Sequence, residues 1–168
     1  MNNNDIIRRL RFILDVKDTK IIKIIALAGH KVPLPRVTSW LKREEDEGFQ
    51  VCSDQDLLYF LDGLIIEKRG PKDGAASTQV QILDNNLIFK KIRIAYNLQS
   101  EDILDIMEAA KFNISNSELT AFFRKKTHRH YRKCQNQMLR KFLKGLQLLY
   151  SRNTNADSDS DQETKEDT

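Results

Sequence analysis

The chain is 168 residues long, 40% hydrophobic and 31% charged, with a net charge of +4 and few Gly or Pro. That length holds one domain or two small ones sharing a core, and the composition suits a helical protein. Nothing resembles a signal peptide, the apolar run "IIKIIALAG" is broken by Lys23 and is too short to span a bilayer, and two cysteines do not make a disulfide scaffold, so a cytoplasmic location without membrane contact is expected.

In chain order, a first helix is expected near 4–14, where Asn3 and Asn4 suit an N-cap. Asp18 starts a second near 19–28, and a third begins near 34 after the Gly29 turn. A fourth, near 53–67, carries Leu57, Phe60, Leu61 and Leu64 at i, i+3, i+4 and i+7, which builds one apolar stripe. Gly63 sits inside that stripe although glycine costs a helix about 1 kcal/mol, which marks it as a point of close helix crossing. The Pro/Gly/Ser run 69–84 reads as a connector with a short extended piece at Gln79–Ile82.

The same order then returns. A helix near 86–96 opens at Asn85 and Asn86, and a second near 101–110 is begun by Ser100. A third starts near 116, with Ser115 and Glu118 at capping-box spacing. The fourth, near 135–150, repeats the stripe as Leu139, Phe142, Leu143 and Leu146 around Gly145. Residues 153–168 are acidic, hold no apolar residue larger than alanine, and are expected to form a disordered tail.

Shifted by 82 positions, 3–70 falls on 85–152 without a gap and with fifteen identities, against about four expected from composition, so the chain is an internal duplication. The predicted fold is all-α. Two tandem four-helix repeats, 1–70 and 85–152, are joined by a connector at 71–84 and packed into one pseudo-symmetric body, because a unit of this size is marginal alone. The second and third helices read as a helix-turn-helix-like hairpin with a turn about two residues longer than usual. The openings "NNNDIIRRLRFIL" and "DNNLIFKKIRIAY", with "GFQVCSDQDLLYFLDGLI" and "HYRKCQNQMLRKFLKGL", resemble the duplicated domain of the YehS-like bacterial family, a domain-of-unknown-function family. The resemblance covers 1–152 and implies a small bacterial cytoplasmic protein with two tandem repeats; it implies no activity.

The stretch 122–134, "FFRKKTHRHYRKC", holds six Lys or Arg, two His and no acid. Its twin at 40–52, "WLKREEDEGFQVC", keeps the apolar pair, the aromatic and the cysteine, but sets Glu44, Glu45, Asp46 and Glu47 where Lys126, Thr127, His128 and Arg129 stand. A slot that takes either sign faces solvent, while Cys52 and Cys134 are expected to be buried. The net charge is +9 over 85–152 and +1 over 1–70, an asymmetry that attracts a polyanion.

The leading expectation is a non-enzymatic accessory or regulatory protein that binds DNA or RNA through the second repeat. Arg124, Lys125, Lys126, Arg129, Arg132 and Lys133 would meet phosphates, with His128, His130 and Tyr131 stacking beside them. The alternative is a protein-interaction adaptor whose acidic 44–47 and basic 124–133 faces meet different partners or dock head to tail. The oligomeric state is left open. The acidic tail reads as a solubility segment or as a competitor that covers the basic repeat. His128, His130 and Cys134 lack the close ligand pairs of zinc sites, so no metal is expected. With no Gly-rich phosphate loop, G-x-S-x-G or H-E-x-x-H, neither catalysis nor a cofactor is expected. Arg11 and Arg93, kept in both copies, are expected to tie helices together through carboxylates or carbonyls.

Overall fold

The computed structural model describes residues 1–72 and 81–160, with side chains as far as Ser151. Among the described residues it is all-α, with eight helices in chain order: α1 (Asn3–Leu14), α2 (Asp18–Leu27), α3 (Leu34–Leu41), α4 (Asp54–Arg69), α5 (Asn85–Ala95), α6 (Ser100–Ala109), α7 (Asn116–Phe122) and α8 (Asn136–Ser160). The first four and the last four repeat the same order, as the duplication predicts.

Several helix starts differ from their expected caps. Asn2, not Asn3 or Asn4, caps α1: its side chain accepts from the Asp5 N–H at 2.9 Å, and the Asp5 carboxylate accepts from the Asn2 N–H at 3.1 Å. Asp84 caps α5 by accepting from the Leu87 N–H. Lys17 and Gln99 occupy the cap positions of α2 and α6, which moves Asp18 and Ser100 into the first turn. The Ser115–Glu118 capping box forms at α7 as expected.

Inside each repeat the fourth helix lies on the second, α4 on α2 and α8 on α6. Both glycines of the stripes sit at these crossings. A Cβ at Gly63 would stand 1.9 Å from the Ile24 carbonyl oxygen, and one at Gly145 would stand 1.8 Å from that of Ile106. Between repeats α4 packs on α5 and α1 packs on α8. Each repeat therefore lends its fourth helix to the other's first, an arrangement close to twofold symmetry. One contiguous core results, running from Ile6 and Leu10 through Trp40 and Phe60 to Phe89, Phe142 and Leu146. Lys91, buried, forms an ion pair with Asp62 across this junction.

The symmetry reaches the backbone. Asp15 and Asn97 both take φ of +51°, and Gly29 and Lys111 take +81° and +55°, so the left-handed turn survives the loss of its glycine. Arg11 Nε donates to Asp18 at 2.9 Å and Arg93 Nε donates to the Leu98 carbonyl at 3.2 Å, so both arginines tie the end of a first helix to the segment that follows it.

Two expectations on the flanks fall partly outside the described residues. Helix α8 continues to Ser160, into the segment expected to be disordered, because no Gly or Pro stands after Gly145 to stop it. The rest of that tail, 161–168, lies outside the described residues. Of the extended piece at 79–82, residues 79 and 80 lie outside them too, and 81–82 form no strand.

Candidate nucleic-acid interface

The basic stretch is the loop between α7 and α8, and its shape is set by two asparagines of α5. Asn86 is buried, and its Nδ2 donates to the carbonyls of Phe122 and Arg132, both at 2.9 Å, while its Oδ1 accepts from the Cys134 N–H at 2.8 Å. Asn85 Nδ2 donates to the Cys134 carbonyl at 3.1 Å and to Asn136 Oδ1 at 2.8 Å. The two side chains hold both ends of the loop against the start of α5. Turns inside it are closed by the His128 N–H on the Lys125 carbonyl at 2.8 Å and the Tyr131 N–H on the His128 carbonyl at 2.9 Å.

The first repeat builds the same clamp around 42–52. Asn4 donates to the Trp40 and Gln50 carbonyls at 3.0 and 2.8 Å and accepts from the Cys52 N–H at 3.0 Å, and Asn3 donates to Cys52 and Asp54. The Asn pairs were expected as caps, and their clamping role was not foreseen. The available signal was their identity in both copies at positions that a cap alone does not require.

The nine sequence candidates share this loop but differ in availability. Lys125, Lys126, His128, Arg129, His130, Arg132 and Lys133 are exposed, while Arg124 and Tyr131 are half-buried. Lys126 pairs with Asp84 at 2.7 Å and Arg132 with Glu118 at 3.1 Å, so two of the six cations already have acidic neighbours. The Asp84 contact holds the Lys126 ammonium pKa above its ordinary value. Hydrogen bonds from the Ser115 backbone and from Arg132 hold the Glu118 carboxyl below its own. Tyr131 is raised by burial and then by Asp84.

Arg129 Nε donates to His130 Nε2 at 2.8 Å, and the His130 N–H donates to His128 Nδ1 at 3.0 Å. The two imidazoles lie 5.7 Å apart between ring centroids. Lys125, Arg129 and Lys133 have no carboxylate within ion-pair distance among the described residues. Helix α7, the would-be recognition helix, contributes Glu118 and no cation, so the positive charge is concentrated on the loop.

Cys134 does not join the histidines. It is fully buried, its thiol directed to the Gln135 carbonyl at 3.8 Å, and burial pushes its pKa up to about 12. Cys52 matches it, with burial and then the nearby Asp56 carboxylate raising it to about 12. Both are free thiols, buried as expected. Among the described residues no group of three His, Cys, Asp or Glu stands close enough to hold a metal ion, and no helix is long and apolar enough to cross a membrane.

A second polar cluster belongs to the first repeat alone and had no sequence expectation. Asp56, buried at the start of α4, accepts from Ser53 Oγ at 2.7 Å and from Arg36 at 3.0 Å, with His30 Nε2 at 3.7 Å. His30 stacks on Tyr59 at 4.3 Å between centroids, and Arg36 lies over Trp40. In the second copy Phe112, Glu118 and Met138 replace His30, Arg36 and Asp56. The cluster thus ties His30 and Arg36 to the start of α4 in one copy only; in the other, Met138 lies in the core with Phe112 packed against it, and Glu118 caps α7.

The model of a family described as "Protein of unknown function (DUF1456)" matches residues 3–70 and again 85–151. The chain is also 40% identical over 147 residues to the "Uncharacterized protein YehS" of Escherichia coli (strain K12), an alignment covering 87% of this chain and 94% of that protein. No solved structure matches.

Proposed function

We propose that this chain, which belongs to the DUF1456 family of proteins of unknown function, is a non-enzymatic cytoplasmic accessory protein that binds nucleic acid through its α7–α8 loop. The observation that carries this reading is the pair of identical clamps with opposite charge. Asn85 and Asn86 hold a loop of exposed cations, where Asn3 and Asn4 hold one bearing exposed Glu44, Glu45, Asp46 and Glu47. A loop fixed at both ends presents its charges with little ordering entropy left to lose on binding. Lys125, Arg129 and Lys133 are the natural phosphate contacts, and His128 and His130 the natural stacking partners. Lys126 and Arg132 would first have to leave Asp84 and Glu118.

Three phosphate contacts give a log-affinity against log-salt slope of about −2 to −3. The experiment is fluorescence anisotropy with labelled single-stranded RNA, single-stranded DNA and duplex DNA, from about 50 to about 200 mM salt. Replacing Lys125, Arg129 and Lys133 together by Ala is expected to flatten that slope and lower the low-salt affinity at least about tenfold. Affinity indifferent to salt, or equal in the triple variant, refutes the reading. The unlike loops on one frame also favour a second reading, head-to-tail docking of acidic 44–47 on basic 124–133. Sedimentation showing salt-sensitive self-association without nucleic-acid binding selects it.

A further inference from the structure

We propose that the groove where the two repeats meet, beside Tyr96 and Tyr150, binds a small flat aromatic molecule carrying one anionic group, with Lys68 as its counter-ion. The groove has a volume of about 600 Å³, within the range of small-molecule sites. Its lining comes in repeat-related pairs: Ile13 with Ala95, Leu14 with Tyr96, and Lys68 with Tyr150. It therefore sits across the approximate twofold relation, and neither repeat alone could form it.

Three features set the ligand chemistry. The apolar wall is formed by Ile13, Leu14 and Ala95, and the Tyr96 and Tyr150 rings meet edge to face at 5.3 Å and 78°, which leaves aromatic surface for a planar body. The Tyr96 hydroxyl is buried and has no hydrogen-bond partner among the described residues.

The third feature is charge. Arg69 is already engaged, donating to the Ile94 carbonyl at 3.2 Å and to Asn97 Oδ1 at 2.8 Å. Lys68, like Arg69, pairs with no carboxylate among the described residues, but it makes no hydrogen bond there either, and its ammonium lies 4.2 Å from the centre of the Tyr96 ring. Partial burial of that ammonium lowers its pKa, against the opposing pull of the neighbouring Glu67 carboxylate. An anion held there restores what is missing, while its aromatic body covers the apolar wall.

The test uses the full chain and two dyes of similar shape, anionic anilinonaphthalene sulfonate and neutral phenylnaphthylamine. The expected result is one saturable site per chain for the anion, in the micromolar range of about 10–100 µM. Amide shifts on binding should be confined to Ile13–Leu14, Lys68–Arg69, Ala95–Asn97 and Tyr150. Lys68→Met should weaken the anionic dye about tenfold or more and leave the neutral dye within about twofold, and Lys68→Arg should restore anion binding. Lys68 is exposed on the last turn of α4, so neither change reaches the core. An unchanged affinity in Lys68→Met, binding at several sites, or amide shifts centred elsewhere overturns the proposal.

Discussion

Replacing Gly145 by Ala puts the helix crossing to a quantitative test in which two effects oppose each other. On an exposed helix face the change would stabilise by about 1 kcal/mol, because alanine is the better helix former. Here the new Cβ would stand 1.8 Å from the Ile106 carbonyl oxygen, 2.7 Å from its carbonyl carbon and 2.9 Å from its Cγ2. The nearest of these atoms is backbone, so no rotamer change relieves the contact. Reaching a separation of 3.0 Å requires α6 and α8 to part by about 1 Å, which loosens Ile103, Ile106 and Met107 against Leu139, Phe142 and Leu146. Overpacking of this kind costs about 1–3 kcal/mol, and opening a close-packed seam adds to it. Less the helix-propensity gain, the net expectation is a loss of about 1–3 kcal/mol, or a melting temperature about 2–12 °C lower for a chain of this size. Urea unfolding followed by circular dichroism and by Trp40, the chain's one tryptophan, measures it. Because Trp40 lies in the first repeat and Gly145 in the second, coincident transitions also show that the repeats unfold as one body. A variant as stable as the parent, or more stable, refutes the crossing geometry.

Asn86→Ala removes three hydrogen bonds and leaves the backbone groups of Phe122, Arg132 and Cys134 without their partner, so a loss of about 2–4 kcal/mol and faster amide exchange at Cys134 are expected. Unchanged exchange at Cys134 would count against the clamp. With both thiols raised to about 12 by burial, their thiolate fraction at neutral pH is about 10⁻⁵, so alkylation should be slow in the folded chain and fast in denaturant. Mass spectrometry of native and denatured samples checks this, and rapid labelling of either cysteine in the folded protein contradicts it.

What the sequence determined by itself was whatever is encoded in periodicity or in repetition. The 82-residue offset, the stripes of α4 and α8, the glycines at their crossings, the Ser115–Glu118 box and the burial of both cysteines were all legible there. Each depends on residues a few positions apart, or on two copies obeying the same constraint. The tertiary structure alone decided the rest. Asn86 hydrogen-bonds groups 36, 46 and 48 residues away, and no local pattern distinguishes such a side chain from a helix cap. Lys126 and Arg132 read as free cations until the fold brings Asp84 and Glu118 beside them. The groove at Lys68 and Tyr96 exists only because each repeat gives its fourth helix to the other's first. That exchange is chosen by shape complementarity between two folded surfaces, and a linear pattern of apolar residues reports only that a face is buried, not against what.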